Sequence, residues 1–249
     1  MSAVNFVPWI GPEYSKIVRG FFYPQPGGFV AHEPATFSWG TKHKILMLGE
    51  SHLLWEDAQS YGVMNQEYDY NPFLINSRLN GQDGIRTHAT AGAVITGDYN
   101  TGMVVYNEIA FMNFFQEFIG NSAIGDHADK NRLTPPLNDQ SCLALDMVLD
   151  VLKPNLVIAW GIGKLSKNPS GWLPYDNHAC LNCKWSESLV AVRNTSNMTL
   201  KKNYHLNVWT YDKHPYATFW AIEHPSHTGF SYNYWNKLFL IVKDALLPV

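Results

Sequence analysis

The sequence predicts an α/β fold in which a central, mainly parallel sheet lies between two layers of helices. Two observations support this prediction. Short apolar segments rich in β-branched and aromatic residues recur along the chain, which is typical of strands covered on both faces. Segments with apolar residues at helical spacing alternate with them. Because no linker or internal repeat interrupts the 249 residues, we expect one domain, 1–249.

Seven segments carry these patterns. The strands are expected at Lys44–Leu48, Met103–Tyr106, Leu156–Trp160, Leu206–Tyr211 and Ala217–Ile222. The helices are expected at Asp139–Leu152 and Tyr232–Leu247. Cys142 lies on the apolar stripe of the first helix and is expected to face the core. The polar stretch 53–102 is too long for an ordinary connection, so we expect it to be an insertion near the functional site.

Composition narrows the class of protein. With 46% hydrophobic and 16% charged residues, the chain is typical of folded globular proteins. It has no apolar run of membrane-spanning length and no signal peptide, so we expect a cytoplasmic protein that does not contact the membrane. A net charge of -3 argues against bulk electrostatic binding to nucleic acid, but it is compatible with a small local DNA-binding cleft.

Two polar clusters follow predicted strands at opposite ends of the chain. One is Gly49-Glu50-Ser51-His52 and the other is His224-Pro225-Ser226-His227. In open α/β sheets, ligands bind in the crevice outside the carboxyl ends of the strands. We therefore expect the two clusters to face one cleft, although they are far apart in sequence.

These clusters, with two segments between them, resemble the motifs of the uracil-DNA glycosylase superfamily. The intervening segments are Asn131–Pro136, which contains an Arg and two Pro, and Leu152–Gly161, a Lys-Pro turn followed by a strand and a Gly. The resemblance runs from Lys44 to the C-terminus and keeps the order of the motifs. It implies a three-layer α/β/α fold, binding of DNA in a cleft, and hydrolysis of the N-glycosidic bond of a flipped-out base without a cofactor.

The residue types suit this chemistry independently of the resemblance. When an N-glycosidic bond breaks, positive charge develops on the sugar and negative charge on the base. Glu50 can stabilise the cation or orient a water, and His224 can donate a hydrogen bond to a base carbonyl. An amide offers a donor and an acceptor, and so can read the edge of an extruded base. Asn107, at the end of the predicted strand Met103–Tyr106, is the first candidate for this role and Asn113 is the alternative.

The substrate is indicated by the residues after the first cluster. His52 and Leu53 are candidate contacts for the base, and Leu53 stands where the best-known branch of the superfamily has an aromatic wall against a 5-methyl group. An aliphatic residue there suggests a roomier pocket, so we expect uracil or a 5-modified pyrimidine as substrate. Hypermodified cytosine of phage DNA would fit, in antiviral defence as well as in base excision. Alternatively, Trp55 or Tyr61 restores the wall.

The candidate contacts for DNA phosphates are Ser51, Ser226, His227 and Gly229. Hydroxyls and N–H groups ahead of a helix form an anion site, and the predicted helix Tyr232–Leu247 follows directly. The alternative is that Ser231 simply caps that helix and no ligand binds there.

A metal site is not expected. His178, Cys180 and Cys183 have ligand-like spacing, and a zinc site completed by His205 or His214 is an alternative. The chain has only 3 Cys, so a four-Cys iron–sulfur cluster is not expected.

Two other classes of function stay open on the sequence alone. One is a catalytically silent nucleic-acid or nucleotide-binding protein on the same scaffold. The other is a small-molecule hydrolase that uses Glu50, His52 and His224. Release of a free base from DNA distinguishes the glycosylase from both.

Overall fold

The computed structural model of the chain describes residues 44–50, 52–53, 86–115, 118–119, 139–162, 172–174 and 208–246. These residues form a mixed α/β fold. In chain order the elements are β1 (Ile45–Gly49), β2 (His52–Leu53), α1 (Arg86–Thr96), β3 (Ala110–Asn113), β4 (Phe118–Ile119), α2 (Asp139–Leu152), β5 (Leu156–Trp160), β6 (Val208–Tyr211), β7 (His214–Ile222) and α3 (Tyr232–Leu246).

Five strands form one sheet in the order β3-β1-β5-β7-β6. Neighbouring strands in this sheet are parallel, except that β6 runs antiparallel to β7. β2 and β4 form a separate parallel pair. The chain goes from β1 to β3 on one side, then crosses to β5 and β7 on the other side of β1. Such a reversal opens a crevice at the carboxyl ends of the strands.

Helices cover both faces of this sheet. α2 packs on one face, against residues such as Leu46 and Val157. α1 and α3 pack on the other face, against residues such as Met47, Ile158 and Trp220. Because strand side chains alternate between faces, each inner strand contributes to both cores. In the part of the chain that the structure describes, no helix is both long and apolar enough to cross a membrane.

Most of the predicted elements are confirmed, with small shifts at their ends. Leu156–Trp160 and Asp139–Leu152 have the predicted bounds, and Cys142 is buried on the face of α2 that meets the sheet. β7 begins earlier than predicted, at His214, because Tyr211 and His214 pair across the antiparallel turn. This pairing extends the strand through polar residues that a hydrophobic pattern does not reveal.

The predicted strand Met103–Tyr106 is wrong. Val104–Asn107 form a short 3-10 helix, and the strand follows it as β3. The Tyr106 N–H donates to the Met103 carbonyl at 3.1 Å, so this N–H has a hydrogen-bond partner within the turn and needs none from a neighbouring strand. The Tyr106 hydroxyl donates to the carbonyl of His88 on α1 at 3.2 Å. Packing against α1 thus favours a turn where a short apolar run would fit a strand equally well.

The prediction that 53–102 is a polar insertion is corrected at its carboxyl end, where α1 is part of the core. The buried positions of α1 are mostly Ala and Gly, so its apolar stripe is weak in the sequence. Small residues let the backbone approach closely. A methyl group on Gly92 would overlap the carbonyl oxygen of Gly102 in the turn after the helix.

A buried hydrogen-bond network ties the beginning of β7 to α2. His214 Nε2 lies 2.8 Å from Asp146 Oδ1, and Nδ1 lies 2.8 Å from the Tyr216 hydroxyl. That hydroxyl donates to the Leu149 carbonyl at 3.0 Å. Lys213 Nζ pairs with the same carboxylate, 2.5 Å from Asp146 Oδ2. His214 is therefore committed to this network and is not available as a zinc ligand.

We predict that Gly92→Ala destabilises the protein. Helix propensity alone would favour Ala by about 1 kcal/mol. The added methyl group, however, meets the rigid backbone of Gly102, so overpacking should dominate and lower the free energy of unfolding by about 1–3 kcal/mol. Urea unfolding measures this change. Thr90→Ala on the same helix is the matched control and should change stability by no more than about 0.5 kcal/mol; a Gly92→Ala variant more stable than the wild type would contradict the close packing.

Candidate functional site

The candidate site lies along the carboxyl ends of the four parallel strands. Asn113 ends β3, Glu50 follows β1, Gly161 follows β5, and His224 comes shortly after β7. In the strand order, β3 lies on one side of β1 and β5 on the other, and a ligand site is expected at such a switch point of an open α/β sheet.

The backbone of Glu50 is held by the residues after β3. The Phe114 N–H donates to the Gly49 carbonyl at 2.8 Å, and the Phe115 N–H donates to the Glu50 carbonyl at 2.9 Å. These two hydrogen bonds join the backbones just beyond the ends of both strands. Both Phe side chains are fully buried, which fixes the donors. The half-buried side chain of Glu50 thus starts from a rigid support.

Gly161 keeps a space open between Glu50 and His224. Its φ of +86° lies in the left-handed region that favours glycine. A methyl group on Gly161 would lie 3.5 Å from His224 Cδ2 and 3.9 Å from Glu50 Oε2. The carboxylate and the imidazole therefore face the same point, and these two atoms cannot be farther apart than the sum of the two distances. The fold brings together the two residues singled out from opposite ends of the sequence.

Hydrogen bonds determine which ring nitrogen of His224 carries a proton. The Ser226 N–H lies 3.2 Å from Nδ1, and a backbone amide can only donate. Nδ1 must therefore accept and carries no proton. The Ser226 hydroxyl lies 2.7 Å from the same atom and donates as well. The neutral imidazole then bears its proton on Nε2, which is bonded to the Cδ2 that faces Gly161.

Asn113, not Asn107, lies at the ends of the strands. Asn113 pairs with Gly49 across β1 and β3, and its amide oxygen occupies the space that a side chain at Gly49 would need. Its side chain is buried. Asn107 ends the 3-10 helix and precedes β3, at the amino-terminal edge of the sheet. The case for Asn107 depended on the incorrect strand Met103–Tyr106, so Asn113 is the candidate base-reading amide.

Trp160 and His88 support the site from the face of α1. Trp160 Nε1 lies 2.8 Å from the position of a methyl group on Gly49, and its ring centroid lies 6.2 Å from that of His224. His88 packs edge-on against Trp160 at 5.8 Å. Burial, and to a smaller extent repulsion by His224 once that ring is also protonated, lowers the pKa of His88 to about 4. His88 is therefore a neutral ring that supports the aromatic wall at neutral pH.

Trp172 brings an indole N–H to the same space. Its Nε1 lies 3.4 Å from the position of a methyl group on Gly161. The ring packs against Phe114 and Phe115, with centroids 5.5 Å and 6.3 Å away. The indole N–H has no hydrogen-bond partner among the residues that the structure describes.

Sequence reasoning missed Trp160, Gly161, Trp172 and His88 as site residues. Gly161 carried a usable signal, since a Gly directly after a predicted strand often marks a positive φ or a close approach. Trp160 was assigned only as a strand residue. His88 was missed because α1 was not predicted. Trp172 was missed because the residues beside it in the sequence form no recognisable motif.

The candidate phosphate contacts after His224 lie in an exposed turn. The His227 N–H donates to the His224 carbonyl and the Phe230 N–H to the His227 carbonyl, both at 2.9 Å. Gly229 has a φ of +98° and open space around it. The Ser226 hydroxyl donates its proton to His224, so contacting a phosphate as a donor would require this bond to break.

The helix that follows this turn is capped by a side chain. Ser231 Oγ accepts a hydrogen bond from the Tyr234 N–H at 3.3 Å, as the capping alternative predicted. This cap satisfies one of the free N–H groups at the start of α3. It does not exclude a ligand at the others.

Several sequence-predicted residues lie outside the described residues. These are Ser51, Trp55, Tyr61, His178, Cys180, Cys183 and His205. Of His52 and Leu53 the structure describes the backbone, which forms β2 and pairs with β4. Within the described ranges, no group of three or more His, Cys, Asp and Glu side chains has the geometry of a metal site.

Comparison of the chain with protein-family models, with curated proteins and with solved structures gave no match.

We predict that the protein loses stability as the pH falls, through His88. In the unfolded chain the pKa of His88 is 6.5, and in the folded protein it is about 4. Between these values the unfolded state binds a proton that the folded state does not, so stability is complete above pH 6.5 and decreases towards pH 4. The expected loss is on the order of 3 kcal/mol.

Urea unfolding across this pH range measures the effect. His88→Phe should remove this contribution and flatten the profile. His227→Gln changes an exposed His and should keep the wild-type profile. If His88→Phe has the same pH dependence as the wild type, His88 is not the group responsible.

Proposed function

We propose that the chain is a DNA N-glycosylase, a hydrolase that releases a flipped-out uracil or 5-modified pyrimidine from DNA. The observation that carries this proposal is the opposition of Glu50 and His224 across Gly161 at the carboxyl ends of the strands. A carboxylate and a neutral imidazole so placed can act on the two sides of one scissile bond. The two sequence motifs that resemble the uracil-DNA glycosylase superfamily supply these same two residues.

Glu50 acts on the sugar side of the bond. As the bond between C1′ and the base breaks, the sugar becomes cationic, and a nearby carboxylate lowers the energy of that state. The same carboxylate can orient a water and accept its proton. The hydrogen bonds from Phe114 to Gly49 and from Phe115 to Glu50 hold this backbone in place, so little reorganisation is needed during the reaction.

His224 acts on the base side. Its Nδ1 accepts from Ser226, so its proton is on Nε2 and can be donated to a base carbonyl. This hydrogen bond strengthens as negative charge develops on the departing base. A donor that becomes more effective in the transition state than in the ground state increases the rate.

Asn113 reads the base. Its buried amide sits over Gly49 between β1 and the aromatic wall formed by Trp160. An amide held in this way offers a donor and an acceptor to the Watson–Crick edge of an extruded base. A base with a different donor and acceptor pattern cannot form these hydrogen bonds with the amide, which is a basis for its rejection.

DNA binding is local in this proposal. The net charge of -3 is unsuited to broad electrostatic binding, so the contacts to phosphates come from a few groups. His227 and Gly229 are placed for this in the exposed turn beside His224. The reaction uses a carboxylate, an imidazole, an amide and water, and we propose no cofactor.

We predict that Glu50→Gln and His224→Ala each abolish most of the base release. Loss of the Glu50 charge should lower kcat about 10²–10⁴-fold, because the sugar cation and the water lose their partner. Loss of the Nε2 donor should lower kcat about 10²–10³-fold. The assay is release of free base from single- and double-stranded DNA, each substrate carrying one altered base.

Glu108→Gln is the matched control, since it neutralises a carboxylate just before β3, at the opposite edge of the sheet. It should retain wild-type activity. Full activity in Glu50→Gln or in His224→Ala would remove that residue from the mechanism. DNA binding without base release would favour the silent binding protein, and turnover of free nucleosides would favour the small-molecule hydrolase.

We predict that the enzyme acts on pyrimidines with a 5-substituent, because Leu53 does not provide a planar aromatic wall. Release of uracil, 5-hydroxymethylcytosine and its glucosylated form is compared in matched duplexes. Leu53→Tyr should reduce action on the modified bases about 10–200-fold relative to uracil, whereas Leu53→Ala should not. Efficient uracil release with no action on either modified base would contradict the open pocket.

A further inference from the structure

The indole N–H of Trp172 is a buried donor for which the described residues supply no acceptor. The Trp172 side chain is only 9% exposed. An unpaired buried donor costs about 1–3 kcal/mol, so folded proteins usually satisfy it, commonly with an ordered water. This donor borders the space between Glu50 and His224, so a water bound to it would lie within the candidate site.

The space over Gly161 has two polar partners for such a water. The position of a methyl group on Gly161 lies 3.4 Å from Trp172 Nε1 and 3.9 Å from Glu50 Oε2. A water oxygen cannot occupy this point itself, which is one covalent bond from the Gly161 Cα. Farther from the Gly161 backbone and displaced towards these two atoms, it can accept from the indole and donate to the carboxylate. The third neighbour, His224 Cδ2 at 3.5 Å, is a carbon and does not compete for the hydrogen bonds.

We propose that Trp172 and Glu50 hold one water molecule over Gly161, and that this water is the nucleophile of the glycosidic cleavage. The second part rests on the proposed function. The water oxygen accepts the indole N–H with one lone pair, and one water proton is donated to Glu50. The other lone pair remains directed at the sugar. Trp172 is thus a positioning residue for the attacking water.

The atoms and electrons of this step balance. The bond between C1′ and the base breaks, and its electron pair leaves with the base. The water oxygen bonds to C1′, while Glu50 takes the water proton and later returns it to solvent. The anionic base, hydrogen-bonded by Nε2–H of His224, takes up a proton from solvent.

Trp220 provides an internal comparison. Its indole N–H is also buried without a partner among the described residues. It packs among aromatic rings, with Trp235 at 6.0 Å and Phe239 at 6.2 Å. The described residues around it form the apolar core on the α1 and α3 side, and an apolar site does not hold an ordered water. Burial of an indole N–H alone therefore does not predict a bound water.

Paired NOE and ROE spectra of the free protein test the water site without any substrate. Trp172→Phe and Trp220→Phe assign the indole resonances. We expect a direct cross-peak between long-lived water and the Trp172 N–H, and none at Trp220. Gly161→Ala should abolish it, because the methyl group takes the place of the water. Gly229→Ala imposes similar backbone strain at φ +98° in open space and should preserve it.

No water contact at Trp172, or a contact that survives in Gly161→Ala, would overturn the water site. Its catalytic part is tested with Trp172→Phe, which keeps a packed ring but loses the hydrogen bond. This variant should lower kcat about 10–100-fold with little change in KM, because the water is misplaced. A wild-type kcat would overturn the nucleophile assignment. If the wild-type protein releases no base, the proposed function is wrong. The cross-peak tests the water site independently of that result.

Discussion

The rest of the structure depends on the position of β1 in the sheet, between β3, which follows it in the chain, and β5, to which the chain then crosses. Because β1 pairs in parallel with both β3 and β5, its carboxyl end is fixed from two sides, and one more hydrogen bond, from Phe115, holds the carbonyl of Glu50. Gly161 then leaves β5 with a positive φ and adds no side chain. The held backbone of Glu50 and the missing side chain at Gly161 thus allow the acid and the imidazole of His224 to face the same point.

The two hydrophobic cores support different parts of the site. Trp172 belongs to the core on the α2 side and borders the space between Glu50 and His224. Trp160 belongs to the core on the α1 and α3 side and borders both Asn113 and His224. In the proposed reaction, the space for the water is therefore supported from one face of the sheet, and the imidazole and the base-reading amide share a support on the other.

The sequence predicted the parts of this arrangement that depend on strong local patterns. α2 and β5 have continuous apolar periodicity, and Glu50 and His224 were found because polar motifs follow predicted strands. The errors came where tertiary contacts decide. The 3-10 helix before β3 is stabilised by packing on α1, and α1 itself is built from small residues with little amphipathic signal. Asn113 was consequently only the alternative, and Trp172, from an irregular segment, was not considered.

The anchoring of β2 and α1 has a consequence for how this protein can diversify. β2 is paired with β4, and α1 is packed through Gly92 onto the turn that leads to β3. The stretch of chain between them thus begins and ends at packed elements. Insertions or deletions between these points need not displace the carboxylate or the imidazole, since Glu50 and His224 have backbone hydrogen bonds from Phe115 and His227, which lie outside that stretch. Natural variation concentrated there would retune the choice of ligand while the core of the sheet stays unchanged.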